Sequence, residues 1–186
     1  MYLRGFAPWI AFAAISGFGW QWGALSGLVI GLWLLIDARR AGVPGEALIL
    51  ESSTLAYFTV LAAVAFAAPH SPVRHYAGAL SFTWLAVTAG ATLAIGRPFT
   101  LGIARRSVPE ELWHNPRFLR MNTVITAVWA AAFAVTAAAV TACVASGAGT
   151  VAAVACQVAG FVVPATFTKR YPKAVQARLA AAGSVG

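Results

Sequence analysis

Charge is what this chain of 186 residues has least of: 10% of its residues are charged, and only five of those are acidic. Soluble domains average about 25% charged residues. With 60% hydrophobic residues and a mean hydropathy of +0.78, a soluble globular domain is excluded and an integral membrane protein is indicated. Cysteine is scarce as well. Cys143 and Cys156 both lie in apolar stretches, where they are expected as small buried hydrophobes rather than as a disulfide framework. Also missing are a nucleophile with its base, a glycine-rich phosphate loop and a metal-ligand cluster. His70 and His75 flank Arg74 without a third ligand, so neither a metal nor another cofactor is expected, and the chain does not read as an enzyme. No cleavage site follows the first apolar region, which runs into Asp37-Ala38-Arg39-Arg40 and is expected to stay in the mature protein.

What the chain does have is long uncharged stretches, at 5–36, 52–73, 75–96 and 121–168. A span takes about 20 apolar residues, so these stretches predict an all-α, polytopic helical membrane protein with six membrane-embedded segments. Their expected limits are 5–16, 19–36, 47–68, 75–95, 116–146 and 150–168. Together they form one transmembrane domain over 1–168, followed by a basic cytoplasmic tail over 169–186. The first segment ends at Ser16-Gly17-Phe18-Gly19, a turn signal. At about 18 Å by helical rise it falls short of a core of about 30 Å. It is therefore expected to re-enter, or to cross at a thinned point.

Glycines recur every fourth position in the second segment, at Gly19, Gly23, Gly27 and Gly31. Positions four apart share a helix face, and a face without side chains lets another backbone approach closely. An intramolecular packing seam is the first reading, with a homo-oligomer interface or the lining of a permeation path as alternatives.

Between the fourth and fifth segments lies a charged, proline-punctuated cassette, 97–121, holding five of the thirteen basic residues. Ser107-Val108-Pro109-Glu110 has capping-box spacing and predicts a short interfacial helix over 108–114, ending before Asn115-Pro116. Asn115 suits the cap and Pro116 the first position of the next helix. Arg97, Arg105, Arg106, Trp113, Arg117 and Arg120 mix guanidinium and apolar groups as the headgroup layer requires. Each basic residue near an anionic surface contributes about 1 kcal/mol. The cassette reads as a topological anchor on anionic lipid, with a docking surface for a cytoplasmic or membrane partner as the sharper alternative and a phosphate or headgroup site at Arg97, Arg105 and Arg106 as another.

If the first stretch crosses twice, one side holds Arg4, Arg39, Arg40, the cassette arginines and Lys169, Arg170, Lys173 and Arg178, while the other holds Arg74 alone. The positive-inside rule then places both termini in the cytoplasm. It also accounts for the net charge of +8 without nucleic-acid binding. Glu51 stands one turn into the third segment, where a carboxylate is by default a functional candidate. It is close enough to the boundary to pair with Arg39 or Arg40, and a proton or cation site is the alternative, on which a small transporter or channel using the broken N-terminal helices would depend. Asn122 is expected to bond a neighbouring helix.

This order of elements, with Arg97-Pro98-Phe99, Trp113, Asn122, Trp129 and Phe133, resembles the bacterial inner-membrane intracellular septation proteins of the YciB type. Asn115-Pro116-Arg117-Phe118 lengthens the segment between Trp113 and Asn122 relative to that pattern, which leaves a sister family of membrane proteins open. The resemblance implies a non-enzymatic component of envelope maintenance or cell division that acts through contacts with other membrane proteins.

Overall fold

The computed structural model describes residues 2–183, and among them every regular element is helical. In chain order these are α1 (Tyr2–Gly5), α2 (Ala7–Ile15), α3 (Trp20–Arg40), α4 (Ile49–Ala67), α5 (Val73–Ala94), α6 (Phe99–Arg105), α7 (Pro116–Ser146) and α8 (Thr150–Gly183). Short 3-10 turns sit at Ser16–Phe18, Gly45–Ala47 and Glu110–Leu112. Five helices, α3, α4, α5, α7 and α8, are long and apolar enough to cross a membrane. The sixth expected segment is the shorter apolar stretch Ala7–Phe18.

Local signals set several boundaries. Asn115 caps α7, its side-chain oxygen accepting from the Arg117 amide at 2.9 Å with Pro116 in the first turn. Gly147 closes α7 in the left-handed region at φ 68°, and the Ala148 amide returns to the Cys143 carbonyl at 3.0 Å. Gly19 starts α3 at φ 147°, a conformation that suits glycine.

Other limits shift. The second segment was expected to stop at 36, but α3 continues to Arg40 because nothing breaks it before Gly42-Val43-Pro44 and Asp37 is tied to Arg4. The last segment was expected to yield to a tail at 169, whereas α8 runs unbroken through Pro164 and Pro172 to Gly183. The helix predicted over 108–114 is a single 3-10 turn, Glu110–Leu112, since Pro109 sits at ψ 151° and starts no α-helix. The cassette's helix is instead α6, ahead of the predicted one.

The helices pack in two groups. α3 lies between α2 and α4, while α7 lies between α5 and α8, and α4 and α5 approach each other at few backbone points. Side chains join the groups. Tyr57 on α4 meets Ser81 on α5 at 2.9 Å, and Ser53 meets Thr88 at 2.7 Å. Phe6, just ahead of α2, is fully buried and stacks on Trp129 at 4.8 Å with Phe133 and Phe161 around it. Trp9 stacks on Tyr57 and tilts against Phe58. Aromatic rings therefore fill the middle of the bundle, and the N-terminal segment supplies three of them, Phe6, Trp9 and Phe12.

The glycine seam divides by position. A side-chain carbon at Gly27 would lie 2.5 Å from the Phe58 ring, and one at Gly23 would meet Ser16 and the Phe12 carbonyl. Gly31 leaves 3.8 Å to Thr54. Gly23 and Gly27 thus allow α2 and α4 to close on α3, and Gly19 acts as the cap of α3.

Candidate functional site

Contacts between distant segments sort the chain into two ends. Arg4 bonds Asp37, Arg106 bonds Glu51, and α6 docks beside the turn before α4, so the start of the chain, the end of α3, the start of α4 and the cassette share one end. Trp20 donates to the Pro69 carbonyl at 2.9 Å, which puts the 16–19 turn and the 68–72 loop at the opposite end.

At the charged end, α6 is built into the bundle. Thr100 is fully buried, donates to the Asn122 carbonyl at 3.0 Å and shares a 2.7 Å hydrogen bond with Thr126. The Phe99 amide donates to Thr92 at 3.3 Å, fixing the entry from α5. Gly102 lets α6 approach the turn before α4, since a side-chain carbon there would stand 2.9 Å from the Ala47 α-carbon. Sequence reasoning missed Thr100 and Gly102. The available signal was the apolar run of Phe99, Leu101 and Ile103, all buried, inside a stretch otherwise read as charged.

The predicted cassette residues then separate. Arg106 donates to the Glu51 carboxylate at 3.0 Å and to the Ala47 carbonyl at 2.9 Å. Arg105 lies over the Trp113 ring at 5.3 Å, with its Nε buried and unbonded. The Trp113 indole donates to the Val108 carbonyl. Arg97, Arg117 and Arg120 are exposed. The structure therefore does not bring the six residues into one cluster: two brace the cassette, Trp113 supports one of them, and three face outward.

Glu51 is 9% exposed, with Oε1 bonded to Arg106 and Oε2 buried without a partner. Its cation comes from the cassette rather than from Arg39 or Arg40, because α6 folds back over the start of α4. A cavity of about 200 Å³ beside it is lined by Arg4, Asp37, Glu51 and Arg106, two charges of each sign. Asn122 is buried, its amide donating to the Phe118 carbonyl within α7 rather than to a neighbouring helix. Its backbone carbonyl, not its side chain, takes the bond from α6.

The opposite end holds a larger cavity, about 830 Å³, between α2, α5 and the α7–α8 turn. Trp9, Phe12, Phe82, Leu85 and Phe161 form its apolar walls, and Arg74, His75, Ser16 and Gln157 also line it. Cys143 lines it too, and its thiol lies within reach of Cys156 across the α7–α8 hairpin. Both cysteines are half-buried. His70 and His75 stand at this end, and among the described residues no three His, Cys, Asp or Glu side chains gather as metal ligands would.

Comparison with protein-family models, curated proteins and solved structures found no match for this chain.

Proposed function

We propose that this chain is a non-enzymatic, multi-pass protein of a bacterial cytoplasmic membrane that organises other membrane proteins in the cell envelope, with both termini cytoplasmic. The observation that carries this reading is the outward-facing basic surface at one end. There Arg39, Arg40, Arg97, Arg117, Arg120, Lys169, Arg170 and Lys173 are exposed around a cassette held rigid by buried threonines. Such a distribution suits a cytoplasmic face on anionic lipid, and a braced surface suits protein contacts because little must be ordered on binding. α7 and α8 extend about 46 Å and about 51 Å at about 1.5 Å per residue, well past a core of about 30 Å. Arg117 and Arg120 on α7 and Lys169, Arg170 and Lys173 on α8 give a partner something to grip. The resemblance to intracellular septation proteins makes division proteins the first partners to seek.

The test is crosslinking in cells followed by purification, comparing the natural chain with Arg117, Arg120, Lys169 and Arg170 all changed to Gln. These four are exposed, so the fold survives the change. Loss of specific partners supports the reading, and recovery of the same partners overturns it. A transporter working through Glu51 is the rival. Glu51 is neutralised by Arg106 at the edge of the bundle, and aromatic side chains fill the middle, which favours an anchoring carboxylate. Proton flux into reconstituted vesicles that Glu51→Gln abolishes would reverse that preference.

A further inference from the structure

We propose that the cavity between α2, α5 and the α7–α8 turn is a lipid site, taking one hydrocarbon chain with an anionic phosphate headgroup held at Arg74. Its volume of about 830 Å³ lies within the range of about 300–1,000 Å³ typical of small-molecule sites. Ile10, Ala13 and Ala14 on α2 and Val154 and Val158 on α8 offer an incoming chain exposed apolar surface, over a floor of buried Trp9, Phe12, Phe82 and Leu85. This is the character of a hydrocarbon slot.

Charge complementarity selects the headgroup. Arg74, in the first turn of α5, is exposed, lines the cavity, and is the one lysine or arginine among the described residues at this end. The five acidic residues are Asp37, Glu46, Glu51, Glu110 and Glu111, all in segments of the opposite end. Among the described residues no carboxylate pairs with Arg74. Its Nε donates to His75 Nε2 at 3.2 Å, which orients the guanidinium. A guanidinium pairs with phosphate through parallel charge-assisted hydrogen bonds. Gln157 reaches from α8 over Gly78 on α5, 3.2 Å from where a side-chain carbon would stand, and sets a neutral polar group in the cavity wall. With basic residues on the cytoplasmic side, the site opens to the outer leaflet.

Native mass spectrometry of the full chain in neutral detergent, titrated with hexadecyl phosphate, hexadecanol or inorganic phosphate, tests the assignment. One hexadecyl phosphate should bind saturably per chain. Arg74→Gln should weaken it about tenfold, the scale of one charged hydrogen bond, while Arg74→Lys retains most of the affinity. Ala153→Trp, which fills the cavity, should abolish binding, hexadecanol should bind more weakly, and inorganic phosphate should not compete. Equal affinity for hexadecyl phosphate and hexadecanol, full competition by inorganic phosphate, or undiminished binding to a monodisperse Ala153→Trp protein would overturn the proposal.

A second readout avoids dependence on the folding of that variant. In Cys156→Ala protein, hexadecyl phosphate should slow maleimide modification of Cys143 several-fold, and unchanged modification counts against the site. The cavity lies at the far end from the basic surface, so its failure leaves the organising role standing.

Discussion

Glu51 illustrates how a single residue's role depends on a partner that is distant in the chain. Its position near a membrane boundary is plain from sequence, as is its need for a cation. That the cation is Arg106, 55 positions away, follows from the folding of α6 against the turn before α4, which no local pattern announces. A carboxylate 9% exposed and stripped of its cation is costly. Breaking a fully buried pair costs about 3–5 kcal/mol, and Arg106 is 28% exposed at its side chain, so water softens the loss. Arg106→Ala should accordingly destabilise the protein by about 2–3 kcal/mol. Adding Glu51→Gln should recover more than half of that, because the stranded charge is gone. Chemical unfolding in detergent measures both, and strictly additive losses would show that the two side chains do not act as a pair.

At the scale of elements, the helices with strong local signals were legible and the one without them was not. Asn115-Pro116 and Gly147 bracket α7 at its observed limits because capping is chemistry within a few residues of the end. α6 has seven residues and no side-chain cap, and is held by Thr100, Thr126 and the Asn122 carbonyl across to α7. Its helicity is a product of docking. Gly102→Ala should therefore lift α6 from Ala47 and cost about 1–3 kcal/mol as overpacking, seen as faster proteolysis within the cassette; an unchanged cleavage pattern would mean that α6 is not held at that point. The glycines of α3 separate in the same way. Gly27→Ala drives a methyl into Phe58, itself enclosed by Trp9, Phe12 and Tyr57, and should cost about 1–3 kcal/mol. Gly31→Ala has room and gains helix propensity, so it should be neutral or stabilising by up to about 1 kcal/mol. Equal effects at both positions would mean that the four-residue repeat, rather than the contact with Phe58, sets the seam.

The whole molecule has a polarity that sequence and contacts describe from different directions. Charge counting divides the chain into a basic side and a side with Arg74, on the assumption that the first stretch crosses twice. The contacts reach that division without counting charges, because Arg4 returns to Asp37 while the 16–20 turn meets Pro69. What charge counting could not supply is how a segment as short as Ala7–Phe18 joins the two ends. Its inner face is lodged in the bundle, with Trp9 and Phe12 buried beside Phe6 among rings of α4, α7 and α8, while Ile10 and Phe18 on its outer face are exposed. Short, irregular backbone is tolerated at membrane depth when protein covers it. Labelling can establish which end faces the cytoplasm. In a background with Cys143→Ala and Cys156→Ala, His70→Cys should react with an impermeant maleimide in intact spheroplasts, and His114→Cys should react only after the membrane is opened. Both sites are exposed, so failure to react reports sidedness rather than burial. The reverse pattern would place the basic surface outside, remove the cytoplasmic partner surface from the proposed function, and turn the mouth of the Arg74 cavity toward the inner leaflet.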